Sequence, residues 1–213
     1  SAQRPGAERA MSDDALPPSR LPPARVADRR RVYEGWLALD VVVIDTLVRG
    51  VPTRLRREVH DHGNGAAVLA YDPARRTAVM VRQVRAAALV ADGAGVTLEV
   101  PAGLVDHGED PAATARREAG EEAGVVLVSL DLVANPYASP GALTERLWLY
   151  LAEIDPTAPR TGGGGVAHEH EEIEVLDVPL RLLAVMADDG RLIDMKTLLL
   201  VETLRRRRPD LFA

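Results

Sequence analysis

Residues 103–125 read GLVDHGEDPAATARREAGEEAGV, and this stretch predicts a short helix with defined ends. Asp110 and Pro111 are typical of a helix start, because Asp accepts hydrogen bonds from the first free N–H groups and Pro fits the first helical position. Gly124 predicts the end of the helix, since glycine readily takes the left-handed conformation that follows a last turn.

Three glutamates of this helix are expected to share one edge. Glu118 and Glu122 stand one turn apart, and Glu121 lies beside them. Clustered carboxylates repel one another, and a hard divalent cation such as Mg²⁺ relieves that repulsion because it prefers oxygen ligands. A solvated acidic face is the alternative interpretation. A stripe of small residues on the opposite side predicts close packing under a sheet: Ala112, Ala115, Ala119 and Ala123.

The stretch fits the Nudix signature, G-x5-E-x7-R-E-U-x-E-E-x-G-U, in which U is a bulky or aliphatic residue and only Ala119 is smaller than usual. The fixed residues of the signature are all in register: Gly103, Glu109, Arg117, Glu118, Glu121, Glu122 and Gly124. The chain therefore resembles the Nudix hydrolases over about residues 33–204. The resemblance implies an α+β fold, the Nudix α/β/α sandwich with a mixed sheet, together with a small N-terminal β-sheet subdomain.

The resemblance also implies roles for the residues of the signature and of a later acidic loop. The implied metal ligands are the carbonyl of Ala102 and the carboxylates of Glu118, Glu121, Glu122 and Glu171. Arg117 orients the catalytic glutamates Glu121 and Glu122, and Glu169 matches a general base. The division of roles between Glu169 and Glu171 stays open, with a solvated acidic loop as the alternative. The glycines at 162–165 predict a hinge that lets this loop close over substrate.

Several stretches outside the signature resemble the nucleoside diphosphate sugar hydrolases: residues 56–59, 60–65, 81–85, 139–141 and 194–197. The GDP-mannose pyrophosphatase branch is the most similar, and the ADP-ribose pyrophosphatase branch is next. This implies Mg²⁺-dependent hydrolysis of a nucleoside diphosphate sugar such as GDP-mannose, with Mn²⁺ as a substitute metal, by a homodimer. A non-catalytic Nudix-fold nucleotide-sugar sensor is the alternative of another class, although such proteins usually lack glutamates of the signature.

The resemblance assigns a set of positions to substrate binding: Trp36, Arg56, Arg57, Glu58, Arg85, Glu99, Glu145 and Lys196. Trp36 suits stacking on a base, with a core tryptophan as the alternative. Arg85 suits a diphosphate because a planar guanidinium binds two oxygens at once. Two pairs of histidines, at 60 and 62 and at 168 and 170, are spaced as in some zinc sites. Because neither has a third ligand nearby, we predict solvated histidines there.

Composition and charge exclude several classes of protein. The chain has no cysteine, which excludes disulfides and zinc–thiolate sites. Its net charge of −6 argues against general nucleic-acid affinity, and the basic run at 205–208 suits a helix end. No apolar run approaches the roughly 20 residues of a membrane span, and the N-terminus lacks the apolar core of a signal peptide. We therefore expect a cytoplasmic protein that binds neither nucleic acid nor membrane.

The sequence predicts a flexible arm at 1–30, an N-terminal β subdomain for dimerisation and base binding at 31–60, and the Nudix hydrolase domain at 61–213. The arm lacks hydrophobic periodicity. Apolar alternation and turn residues predict the strands 36–48, 54–59, 66–71, 77–82, 97–103, 126–133, 147–154 and 175–178. Capping and periodicity predict helices at 179–188 and 194–208, beside the helix of the signature.

Overall fold

The computed structural model describes residues 16–165 and 172–213, whose strands form two sheets. The N-terminal sheet is antiparallel in the order β1-β2-β3, formed by β1 (Arg25–Glu34), β2 (Ala38–Val48) and β3 (Val51–Asp61). Asp40 lies buried in the middle of this sheet and accepts hydrogen bonds from Arg29 and Arg31 of β1. The hydrogen bond from Arg31, together with that from Arg29, holds the pKa of Asp40 below its usual value.

The second sheet is mixed and forms the middle layer of the hydrolase domain. Its strands are β4 (Gly65–Asp72), β5 (Thr77–Val84), β6 (Val96–Glu99), β7 (Ala102–Leu104), β8 (Asp131–Ala134), β9 (Leu147–Glu153) and β10 (Glu174–Pro179). The order is β10-β5-β4-β9-β8, with β6 paired to β5 and β7 paired to β4. The central pair β4 and β9 is parallel, and the other pairs are antiparallel. The strand β4 is buried on both faces, as its continuous apolar sequence predicts.

Helices cover both faces of the mixed sheet. They are α1 (Ala86–Asp92), α2 (Pro111–Glu121), α3 (Leu180–Asp188) and α4 (Met195–Arg207), followed by a short 3-10 helix (Pro209–Leu211). One apolar cluster joins α3 and α4 to the sheet through residues such as Leu183, Leu200 and Leu149. A separate cluster joins α2 to the opposite face through Ala115, Val68 and neighbouring residues. These two clusters make the α/β/α sandwich that the sequence predicts.

The helix α2 begins and packs as the sequence predicts. The side chain of Asp110 accepts a hydrogen bond from the backbone N–H of Ala112 at 3.1 Å, and Pro111 occupies the first turn. Ala115 and Ala119 are fully buried. Because these side chains are single methyl groups, the helix axis can lie close to β4, and this closeness brings the glutamates of α2 to the backbone of β7.

Three parts of the predicted organisation are wrong. The strand β1 begins at Arg25, so residues 25–30 do not belong to a flexible arm. This strand is exposed along its whole length and is rich in arginine, so it shows no hydrophobic alternation. In the predicted strand 126–133, only Leu127 is buried, and an isolated bridge joins it to Ile154 before β8 begins. The sequence also did not predict α1, which has no buried residue.

A buried carboxylate joins the mixed sheet to α4. Glu99, at the end of β6, accepts two hydrogen bonds of 2.8 Å from Arg85 and another from Lys196. Asp194 caps α4 by accepting a hydrogen bond from the N–H of Thr197 at 3.0 Å, and it also binds Lys196. Burial alone would raise the pKa of Glu99, but the hydrogen bonds from Arg85 and the charge of Lys196 outweigh it and lower the pKa to about 2.

No helix in the described part of the chain combines the length and the apolar character that a membrane span requires.

Acid is expected to weaken the fold through Glu99. Its folded pKa of about 2 lies below its ordinary value of 4.5, so the ionised carboxylate contributes on the order of 3 kcal/mol to the free energy of unfolding at neutral pH. This contribution is fully present above about pH 5 and is lost as the pH falls through about 2. Urea titrations should therefore show that Glu99→Gln is less stable than the parent at neutral pH, by an amount that shrinks in acid. A difference that stays constant between about pH 6 and about pH 3 would contradict this account.

Candidate active site

The turn between β6 and β7 brings backbone and carboxylate together. The strand β7 pairs with β4, so that Gly103 lies opposite Ala66. A Cβ atom added to Gly103 would lie 1.8 Å from Oε1 of Glu118, far inside contact distance. The carboxylate of Glu118 therefore rests directly against the Gly103 backbone, and this contact requires glycine at position 103.

The glutamates of α2 share the edge that faces β7. Glu118 and Glu122 are buried, whereas Glu121 is partly exposed. The carboxylate of Glu122 accepts a hydrogen bond of 2.9 Å from the N–H of Ala102. The side chain of Glu122 therefore holds the backbone N–H of Ala102, the residue whose carbonyl is the predicted metal ligand. The glutamates therefore lie together near one end of α2, as their i, i+3 and i, i+4 spacing in the sequence predicts.

Arg117 lies at the centre of this acidic cluster. Its Nη1 donates hydrogen bonds of 2.8 Å to Glu118 and of 2.8 Å to Glu121, and its Nε lies 3.6 Å from Glu109. Partial burial would lower the pKa of Arg117, but the hydrogen bond to Glu121 and the nearby negative charges outweigh it and raise the pKa. The predicted orienting role of Arg117 stays a prediction, and these contacts are of the kind that it requires.

The oxygens around β7 and α2 are suited to a hard divalent cation. They are the carbonyl of Ala102 and the carboxylates of Glu118, Glu121 and Glu122, and such oxygens are preferred by these ions. Within residues 16–165 and 172–213, no three His, Cys, Asp or Glu side chains are already arranged to hold a metal ion. Arg117 takes one oxygen of Glu118 and one of Glu121, so the second oxygen of each carboxylate would be the one to face a cation.

A cleft of about 360 Å³ opens beside the acidic cluster. It is lined by Trp36, His62, Gly65, Ala66, Arg85, Ala102, Gly103, Leu104, Ala138, Glu145, Leu147, Asp194, Met195 and Lys196. The lining includes Ala102 and Gly103, which contact the carboxylates of Glu122 and Glu118, and also Arg85 and Lys196. The cleft thus holds two cations and the backbone segment on which two carboxylates of α2 rest.

The structure brings together only part of the predicted substrate set. Trp36, Arg85, Glu145 and Lys196 line the cleft. Glu99 contacts Arg85 and Lys196 without itself lining the cleft, so its position is that of a support for these two cations.

The remaining predicted substrate residues lie on β3 and do not line this cleft. Arg56 is exposed and forms an ion pair of 3.2 Å with Glu58, and Arg57 donates to the backbone carbonyl of Arg56. A role of these three residues in substrate binding stays a prediction, and it would need a contact outside the cleft as described.

The sequence missed His62, which was predicted to be solvated. Its side chain is only 13% exposed, and its Nε2 lies 3.6 Å from Oε1 of Glu145. The rings of Trp36 and His62 are stacked with centroids 5.3 Å apart, and His60 lies 4.8 Å from His62. The pairing register of β2 and β3 could have revealed this contact. Ala38 pairs with Asp61, which brings Trp36 and His62 side by side at the end of the hairpin.

Two predicted residues of the acidic loop, Glu169 and Glu171, lie outside the described residues, as do His168 and His170. The glycines before them are described, and they do not form a free hinge. The amides of Gly164 and Gly165 donate hydrogen bonds to the carbonyls of Glu122 and Glu121 at the end of α2.

Comparisons with known proteins agree with this geometry. Residues 61–195 match the sequence model of the NUDIX domain family. A GDP-mannose pyrophosphatase of Pectobacterium atrosepticum is 36% identical over 179 residues, which cover 83% of this chain and 91% of that protein. The GDP-mannose pyrophosphatase of Cronobacter sakazakii is 39% identical over 176 residues, which cover 82% of this chain and 91% of the relative.

A solved structure supports the fold separately. The crystal structure of an ADP compounds hydrolase is similar with a TM-score of 0.70, covering 91% of this chain and 98% of that chain. At 14% identity this likeness concerns the fold alone. The family match spans most of the chain and includes the glutamates of α2, and the relatives align over nearly their whole length. The chain therefore belongs to the Nudix family.

Proposed function

We propose that this protein hydrolyses the diphosphate bond of a nucleoside diphosphate sugar, with GDP-mannose as the preferred substrate and Mg²⁺ as the metal. The observation that carries the proposal is the cleft itself, whose lining includes Arg85 and Lys196 together with Ala102 and Gly103, which contact Glu122 and Glu118. A diphosphate carries several negative charges, which a metal ion and nearby cations can neutralise together. The names of the relatives support the nucleotide sugar, and Mn²⁺ is expected to substitute for Mg²⁺.

In this proposal, water attacks one phosphorus of the diphosphate, and the bond to the bridging oxygen breaks. GDP-mannose would then yield GMP and mannose 1-phosphate. The carbonyl of Ala102 and the carboxylates of Glu118, Glu121 and Glu122 would hold the divalent cation. When bound, the cation supplies Lewis-acid neutralisation of the diphosphate charge. A glutamate of the acidic loop, Glu169 or Glu171, is proposed to accept the proton of the attacking water, with Glu171 also as a metal ligand.

The cations of the cleft are positioned by Glu99 for the departing phosphate. Arg85 binds Glu99 through Nε and Nη2, and its side chain is 43% exposed, so in this proposal Nη1 would donate to a diphosphate oxygen. Lys196 has three donors, of which Glu99 and Asp194 each take one. Burial of Glu99 between them keeps both cations directed at the cleft.

Trp36 is proposed to bind the base. Its side chain is 75% exposed although it is large and apolar, and one of its faces is stacked on His62. The other face is suited to stacking on a purine, which would remove this apolar area from water. His62 and Glu145 would then lie at the boundary between the base and the ribose.

A homodimer would account for the predicted residues that the cleft lacks. Arg56, Arg57 and Glu58 lie on the exposed β3, away from the cleft of their own chain. The N-terminal sheet also leaves apolar side chains of β1 exposed, such as Val26 and Tyr33. We propose that this sheet packs on a second copy and contributes these residues to the partner's cleft, in a cytoplasmic enzyme without nucleic-acid or membrane partners.

Removing one charge from the acidic cluster is expected to abolish most of the activity. Glu122→Gln should lower kcat by roughly a hundredfold or more, because it removes an anionic metal ligand while Gln can still accept from the N–H of Ala102. Glu202→Gln removes a half-exposed carboxylate of α4 that pairs with Arg205, and this control should keep full activity. Phosphate release with a coupled phosphatase measures both. Full activity of Glu122→Gln, or of the parent in excess EDTA, would contradict the mechanism.

A panel of nucleotide sugars tests the substrate. GDP-mannose is expected to be hydrolysed with a kcat/KM at least about tenfold above that of ADP-ribose, since guanine and adenine present opposite hydrogen-bonding edges. Each polar partner left unpaired with the wrong base costs roughly 1–3 kcal/mol. A higher kcat/KM for ADP-ribose would overturn the GDP-mannose assignment and favour the ADP-ribose alternative. Binding of nucleotide sugars without any turnover would favour the sensor alternative.

A further inference from the structure

The C-terminal end of α2 is an electrostatically unfavourable place for a cluster of carboxylates. A helix leaves its last carbonyl groups without partners inside the helix, and its C-terminal end carries a partial negative charge. Glu118, Glu121 and Glu122 all lie at this end, and the last turn contains no basic residue. Arg117 of the preceding turn donates to the carboxylates of Glu118 and Glu121, but the last carbonyl groups of the helix still need donors of their own.

The turn after α2 satisfies only part of this requirement. The N–H of Glu122 donates to the carbonyl of Glu118, and the N–H groups of Gly124 and Val125 return to the carbonyls of Gly120 and Ala119. These local bonds do not include the carbonyls of Glu121 and Glu122. Those are the two residues at the very end of the helix whose side chains are proposed metal ligands.

The glycine run supplies the missing donors from a distant part of the chain. The N–H of Gly164 donates to the carbonyl of Glu122 at 2.8 Å, and the N–H of Gly165 donates to the carbonyl of Glu121 at 3.1 Å. Thr161 adds a third bond, from its N–H to the carbonyl of Gly124 at 3.0 Å. We name residues 163–165 the glycine clasp.

The conformation of the clasp explains why glycine is needed there. Gly163, Gly164 and Gly165 have φ values of +58°, +98° and +81°. A Cβ atom on Gly163 would lie 2.6 Å from the carbonyl oxygen of Glu122, which is backbone and cannot move aside without displacing the helix end. Gly162 differs, since a Cβ atom there meets nothing within 4 Å. The glycines therefore allow close docking, and the predicted hinge does not describe residues 163–165.

We propose that the glycine clasp positions the carboxylates of Glu121 and Glu122 for the divalent cation, an inference that rests on the proposed function. The clasp acts through the backbone: its two N–H groups hold the carbonyls of the residues that carry these carboxylates. They also place partial positive charge against the negative end of α2. The clasp residues are positioning residues, because they contact the backbone of the metal-binding residues and not the cation or the substrate.

The experiment compares Gly163→Ala with Gly162→Ala in the full chain. Mn²⁺ binding is measured by calorimetry without substrate, and each variant is also assayed for kcat, KM and melting temperature. Gly163→Ala is expected to weaken Mn²⁺ binding by about 10- to 100-fold, the usual effect of disturbing groups that orient metal ligands. At subsaturating metal, its kcat should fall, and the KM for the nucleotide sugar should change by a smaller factor. Gly162→Ala should match the parent in all these measurements.

A purely structural role would lower the melting temperature of Gly163→Ala and leave its Mn²⁺ affinity at the parent's value, and this result would overturn the proposal. If Gly163→Ala does not fold, Gly164→Ala is the milder test, because its Cβ atom would have its nearest contact at 3.6 Å and only the positive φ causes strain. Unchanged Mn²⁺ affinity in that variant overturns the proposal equally. If the parent hydrolyses nucleotide sugars and the variants keep its metal affinity, only the proposal on the glycine clasp is rejected. If the parent neither binds Mn²⁺ nor hydrolyses nucleotide sugars, both proposals are rejected.

Discussion

The rest of the site depends on the contact in which the carboxylate of Glu118 lies against the backbone of Gly103, where α2 meets β7. Any side chain at position 103 would occupy the space of that carboxylate. The close approach also depends on the opposite side of the helix, where Ala115 and Ala119 are buried against the sheet without the bulk of a larger residue. Lengthening either contact would move every carboxylate of α2 away from the carbonyl of Ala102, and with it the oxygens that a cation requires.

The charged residues of the site form two clusters, and the central residue of each has the opposite charge to the residues around it. In the acidic cluster, Arg117 lies between Glu118 and Glu121, and in the basic one, Glu99 lies between Arg85 and Lys196. Each central residue reduces the repulsion among the groups around it, which allows like charges to remain close in a folded chain. Arg85 and Lys196 line the cleft together with Ala102 and Gly103, which contact carboxylates of α2. Both kinds of charge suit the proposed hydrolysis, in which a metal ion and nearby cations would neutralise the diphosphate.

The ends of α2 are satisfied in different ways, and the difference bears on function. At its N-terminus, Asp110 accepts from the N–H of Ala112 within the same turn. At its C-terminus, the carbonyls of Glu121 and Glu122 receive donors from Gly165 and Gly164, which are more than 40 residues distant in sequence. A local cap withstands changes elsewhere in the chain, whereas a distant one links the end of α2 that carries the proposed metal ligands to the segment that leads toward the acidic loop.

The sequence by itself determined the local features of this protein. The cap at Asp110, the alanine stripe, the shared edge of the glutamates and most strands follow from residue spacing, because hydrogen bonds and side-chain direction within one helix or strand depend on near neighbours. Only the tertiary structure decided the pairing of Glu99 with Lys196, the stacking of His62 on Trp36 and the docking of the glycine run on α2. It also decided β1, whose exposed arginine-rich sequence is held by backbone bonds to β2. These contacts join residues that are far apart in the chain. The spacing of neighbouring residues does not specify which distant backbone group or charged side chain each residue will contact.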